Sequence, residues 1–141
     1  MHLIPTTPAA PVLPASVRGL RDAINSHDAQ RVGDVFTPDY RAIIPLHPSL
    51  NFTGNDLVVW NWAGIFVQIP DIQAEVLRTA LNGNEVWSEW RLTGARANGD
   101  AAELGGPVIW VERDGLIAHA RFYLDPVTAP AAHPAAGPYS A

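Results

Sequence analysis

The stretch Gly105-Gly106-Pro107-Val108-Ile109-Trp110-Val111-Glu112-Arg113-Asp114-Gly115-Leu116-Ile117-Ala118-His119-Ala120-Arg121-Phe122-Tyr123-Leu124-Asp125-Pro126 sets two apolar runs on either side of Asp-Gly. Both residues of an Asp-Gly pair tolerate positive φ, as a two-residue hairpin turn requires, and the flanks are rich in Val, Ile, Trp, Phe and Tyr. The stretch reads as the closing hairpin of a sheet. Strand side chains alternate faces, so Ala118, Ala120, Phe122 and Leu124 are expected to point inward, and His119, Arg121, Tyr123 and Asp125 outward.

The period of two extends upstream. Ile72 to Leu81, Glu85 to Ala95, Ala102 to Glu112 and Leu116 to Leu124 alternate, and Asn82-Gly83-Asn84 and Asn98-Gly99-Asp100 break them as turns. A short opening strand, Tyr40 to Ile44, ends at Pro45 and Pro48. Before it the period is helical: Ser16 is expected to cap a helix carrying Val17, Leu20, Ala23 and Ile24, and Asp28 a second one through Val32, Val35 and Phe36. A third helix spans Leu57 to about Gln68, with Trp60, Gly64 and Val67 on one side and Trp62 and Phe66 on an adjacent one. Helices followed by a meander predict an α+β fold, in which three N-terminal helices cover a strongly bent mixed β-sheet and the interior forms a cavity. Residues 2–15 and 126–141 each hold four prolines, which suit neither helix nor ladder, so disordered tails are expected at 1–15 and 127–141 around one domain at 16–126.

Composition narrows the function. A chain of 141 residues buries about two-thirds of its unfolded surface, enough to enclose a pocket. Its net charge of −5 and lack of a Lys/Arg cluster argue against nucleic acid and membrane as partners. With no cysteine there is no disulfide or thiol nucleophile. The five histidines show no metal-ligand spacing, and no phosphate-cradling loop or nucleophile elbow is present, so neither metal nor cofactor is expected. No apolar run is long enough for a membrane helix and no signal-peptide pattern opens the chain, so a cytoplasmic location is expected.

The order of two helices, an Asp39-Tyr40 strand, Gly54 before a helix, Pro70-Asp71, the strand Val86-Trp87-Ser88-Glu89-Trp90, and an Asp-Gly hairpin ending Tyr123-Leu124-Asp125-Pro126 resembles the nuclear transport factor 2-like superfamily. Within it, the chain resembles the SnoaL-like polyketide cyclase group, over roughly residues 16–126. The resemblance implies a cone-shaped sheet closed by helices, a deep ligand pocket and frequent homodimers, here through the outer sheet face. Its catalytic members include polyketide cyclases, steroid isomerases, dehydratases and epoxide hydrolases, and others are not enzymes, so fold alone decides little. Cyclases and epoxide hydrolases of this kind place an acid where Phe122 stands here. The Arg and Asp of the hydrolases' middle strand correspond to Trp90 and Leu92, and their water-positioning Tyr and Asn fall near Ala42 and Ile44, or Arg41 and Ile43 in the other register. The first helix offers no Tyr for a steroid isomerase.

The predicted interior contains Ala42 or Ile44, Val76, and the candidate substrate-binding residues Ile44, Trp60, Phe66, Ser88, Trp90, Leu92, Leu104, Val108, Trp110, Phe122 and Leu124. Such residues commonly do no more than pack a core, yet five tryptophans exceed ordinary core needs, and an apolar pocket suits a small hydrophobic ligand. The candidate catalytic groups are His47, expected at the pocket mouth as a general acid or base, and Tyr40, a hydrogen-bond donor to a substrate carbonyl. With these residues, the resemblance implies a small-molecule cyclase or isomerase for a polyketide-like or terpenoid-like substrate. The alternatives are a non-catalytic binding module for an apolar metabolite, which the missing acid favours, and an epoxide hydrolase-like enzyme.

Overall fold

The computed structural model describes residues 12–128, so most of both expected tails lies outside the described residues. Helix α1 (Ala15–Ser26) is followed by α2 (Ala29–Gly33), β1 (Phe36–Ile43), a 3-10 turn at Pro48–Leu50, β2 (Phe52–Thr53) and α3 (Asn55–Gln68). The meander follows as β3 (Gln73–Asn82), β4 (Glu85–Ala95), β5 (Ala101–Arg113) and β6 (Leu116–Phe122), and β7 (Asp125–Pro126) returns to β5. The sheet order is β2-β1-β6-β5-β4-β3; β1 and β6 are parallel and the other pairs antiparallel. This is the expected α+β architecture of three helices over a bent mixed sheet.

Local chemistry explains most boundaries. Asp114 and Gly115 both have positive φ, and Arg113 pairs with Leu116 across the two-residue turn. His27 ends α1 in the left-handed region, and its Nε2 lies 2.7 Å from the Ile72 carbonyl oxygen. Asp28 caps α2 by accepting from the Gln30 N–H. Ser16, in contrast, is not the cap of α1. It lies inside the first turn, buried, and its hydroxyl accepts from the Trp110 indole N–H at 3.0 Å. The second helix also stops early: Phe36, Thr37, Pro38 and Asp39 belong to β1, because Ile117 donates to the Val35 carbonyl and draws the chain into the sheet.

Two faces differ from strict alternation. Val111 pairs with His119 and Glu112 with Ile117, so Ala118 is the extra residue of a β-bulge. Ile117, fully buried, takes the inward position expected of Ala118, while Ala120 keeps its own. In β1, Tyr40 and Ala42 are buried and Arg41 is exposed, which selects the register with even-numbered residues inward.

Candidate functional site

An apolar cavity of about 210 Å³ lies between α3 and the sheet, lined by Phe36, Tyr40, Ile44, Phe52, Val58, Asn61, Trp62, Ile65, Leu104, Phe122 and Leu124. Strand β1 supplies Phe36 and Tyr40, whose rings meet edge-on at 4.5 Å, and Phe52 of β2 meets Tyr40 at 5.8 Å. The Tyr40 carbonyl accepts from Gly54 N–H at 2.7 Å, which ties this residue to the start of α3. Tyr40 is fully buried, and its hydroxyl has no hydrogen-bond partner among the described residues. Burial pushes its pKa far above the ordinary tyrosine value, so at neutral pH it is a protonated donor. An unpaired buried hydroxyl costs about 1–3 kcal/mol.

Five expected lining residues are core instead. Trp90, Leu92, Val108 and Trp110 are each at most 2% exposed and outside the cavity wall. Ser88 is buried as a structural hydroxyl: it donates to the Val108 carbonyl and accepts from the Trp90 indole, both at 2.8 Å. Indole N–H groups need acceptors when buried, so Ser88 and Ser16 allow these two tryptophans to fill the core. Phe66 sits against Trp62 and His27 rather than in the wall. Trp60 is the clearest departure, at 74% exposed on the outer side of α3, with Trp62 in the inward place. Ile44, Leu104, Phe122 and Leu124 line the cavity.

His47 does not line the cavity but lies beside it in the chain, three residues after Ile44, with half its side chain exposed. Its Nε2 lies 3.0 Å from Oδ1 of Asp125, the residue after cavity-lining Leu124. Asp125 was expected on the outer sheet face. Strand β7 carries it back against β5, where Gly105 pairs with Asp125, and so toward His47. The lining residues that sequence reasoning missed are Phe36, Phe52, Val58, Asn61, Trp62 and Ile65, and beside His47 it missed Asp125. Trp62 left a signal, its place on the apolar third helix.

A second depression, about 360 Å³, lies on the outer sheet face around Arg78, Ala80, Trp87, Glu89 and Pro107. It lacks the enclosing helix and the unpaired buried donor of the inner cavity. Among the described residues no cluster of three His, Asp or Glu is placed to hold a metal ion, and no helix is long and apolar enough to cross a membrane.

Comparison with solved structures supports the fold. IdmH from Streptomyces antibioticus, described as a candidate polyketide cyclase, is 20% identical, with TM-score 0.68 over 78% of this chain and 89% of that one. A protein of ketosteroid isomerase-like fold from Catenulispora acidiphila DSM 44928, solved with trimethylamine, is 16% identical, with TM-score 0.68 over 79% and 87%. A candidate SnoaL-like polyketide cyclase from Jannaschia sp. CCS1 is 19% identical, with TM-score 0.65 over 85% and 92%. No curated protein matches the chain. The model of the SnoaL-like domain matches residues 17–120, which is most of the chain, and the protein belongs to that family.

Proposed function

We propose that the protein is a cofactor-free cyclase or isomerase for a hydrophobic, carbonyl-bearing molecule of polyketide-like or terpenoid-like character. The observation that carries this reading is that Tyr40, whose buried hydroxyl has no partner among the described residues, lines a largely apolar cavity. Its phenol donates to the substrate carbonyl and stabilises the negative charge that grows on oxygen as the neighbouring carbon loses a proton. Apolar walls hold the flexible chain in a reactive shape. His47, three residues after cavity-lining Ile44, is the candidate proton acceptor. In the neutral ring, Asp125 accepts the Nε2 proton and leaves Nδ1 with the free lone pair, an arrangement in which a carboxylate orients a base.

Phe122 favours a second reading. It brings a phenyl ring to the wall where the resemblance expects an acid, and no carboxylate lines the cavity, as suits a non-catalytic carrier of an apolar metabolite. Incubation with hydrophobic ketones and polyketides, followed by mass spectrometry, separates the two. Product that disappears in Tyr40→Phe and His47→Ala supports the enzyme; tight binding without product supports the carrier. A second copy on the outer sheet face is part of the proposal, because Trp87 there is 45% exposed beside Ala80 and Pro107.

A further inference from the structure

Helix α3, Asn55-Asp56-Leu57-Val58-Val59-Trp60-Asn61-Trp62-Ala63-Gly64-Ile65-Phe66-Val67-Gln68, is apolar nearly all round, yet only one side of it is buried. Val58 and Trp62 face the core, while Trp60 and Val67 are 74% and 76% exposed. A helix apolar on every side normally has a partner on every side. Its outer side carries a groove of about 500 Å³ lined by Trp60, Asn61, Ala63, Gly64, Ile65, Val67 and Gln68. Asn61 and Ile65, one turn apart, line both this groove and the inner cavity, so the two spaces share one ridge. The inner cavity, about 210 Å³, is smaller than the roughly 300–1,000 Å³ usual for a drug-sized ligand.

We infer that the groove on α3 is an outer subsite for the same ligand: the carbonyl-bearing end sits at Tyr40, and an apolar extension crosses the Asn61–Ile65 ridge to lie against Trp60, Gly64 and Val67. The substrate class is thereby an elongated molecule, a carbonyl head with an apolar tail. Asn61 offers an amide at the crossing point, suited to a polar group partway along the chain. This inference rests on the reading of the inner cavity as a carbonyl site, and the test keeps the two apart.

The probes are methyl ketones of five to twelve carbons, titrated calorimetrically into the full chain. Gly64→Glu places a charged side chain in the groove where an added Cβ meets nothing within 4 Å, so the fold tolerates it. Affinity is expected to keep rising for the long ketones, by roughly two- to fourfold per methylene. Gly64→Glu removes that rise and leaves the shortest ketones unchanged, and Trp60→Ser reduces it. A rise that persists in both variants, or no rise in the native chain, overturns the outer subsite. So does a change of solution mass in Gly64→Glu with ketone binding unaltered, which would assign α3 to a second copy. If Tyr40→Phe binds every ketone as the native chain does, the carbonyl site fails, and with it the head-in placement. Absence of any ketone binding overturns both.

Discussion

His47 and Asp125, 78 residues apart in sequence, meet at 3.0 Å between Nε2 and Oδ1 and join the loop after β1 to the strand that follows β6. Both side chains are about half exposed, so water screens the pair and its contribution to stability is under about 1 kcal/mol. Its effect on turnover is expected to be much larger. His47→Ala lowers kcat by about 100-fold or more, and Asp125→Asn, which keeps the size but not the charge, lowers it less. Thermal melts of both variants should match the native chain, so that loss of rate is separated from loss of fold.

Tyr40→Phe should move stability and function in opposite directions. The substitution deletes a buried hydroxyl that has no partner, so urea denaturation is expected to report a gain of roughly 1 kcal/mol. Ketone affinity falls about tenfold, because the cavity loses its donor.

The same tyrosine has a signature in alkali. Its folded pKa is raised by burial, so its proton stays on as pH climbs past about 10, where the unfolded chain ionises. The unfolded state is then favoured, and native stability declines with pH above that point while it is level below. Denaturation curves from pH 8 to 11 should show this slope in the native chain and a shallower one in Tyr40→Phe.

The strands were legible in sequence because a period of two and Gly-containing turns are local signals: Glu85–Ala95 coincides with its expected limits. The site was less so, for three physical reasons. On a helix apolar all round, periodicity cannot choose a buried side, and Trp60 was placed inward where Trp62 is. A bulge adds one residue without changing composition, and it put Ile117 in the place of Ala118. The His47–Asp125 contact depends on how β7 folds back, which no local pattern encodes. The tryptophans of β4 and β5 did leave a readable clue. Ser88 lies on the same strand face as Trp90, and a hydroxyl beside a buried indole marks a core position.

Phe122→Asp tests whether the wall can hold the acid that the family resemblance expects. A carboxyl in this apolar surrounding has its pKa raised by desolvation. The destabilisation therefore grows as pH rises above the unfolded Asp value near 4, reaching about 1–3 kcal/mol at neutral pH. Denaturation at pH 4.5 and pH 8 should show the larger loss at pH 8; equal losses would mean that the side chain escapes to water. Gain of proton-transfer activity in this variant, read by deuterium exchange of a bound ketone, would mark the position as one from which an acid reaches the ligand.

Gly106 controls how the wall closes. Its φ is 138°, a region L side chains rarely adopt, and an added Cβ would lie 2.5 Å from the Tyr123 carbonyl oxygen and 3.4 Å from the Leu124 Cα. Those neighbours are backbone and cannot swing away, and the Tyr123 N–H is itself bonded to the Pro107 carbonyl at 3.0 Å. Gly106→Ala is thus expected to lose about 2–3 kcal/mol in urea denaturation. Gly64→Ala, in the middle of α3 with open space around it, should instead gain about 0.5–1 kcal/mol from helix propensity. Ligand binding discriminates further. The close approach at Gly106 fixes the segment from Tyr123 to Asp125, which contributes Leu124 to the cavity and Asp125 to the contact with His47. Gly106→Ala should therefore weaken ketone binding even under conditions where the variant is fully folded. Gly64→Ala adds a methyl only to the outer groove and should leave the short ketones unaffected.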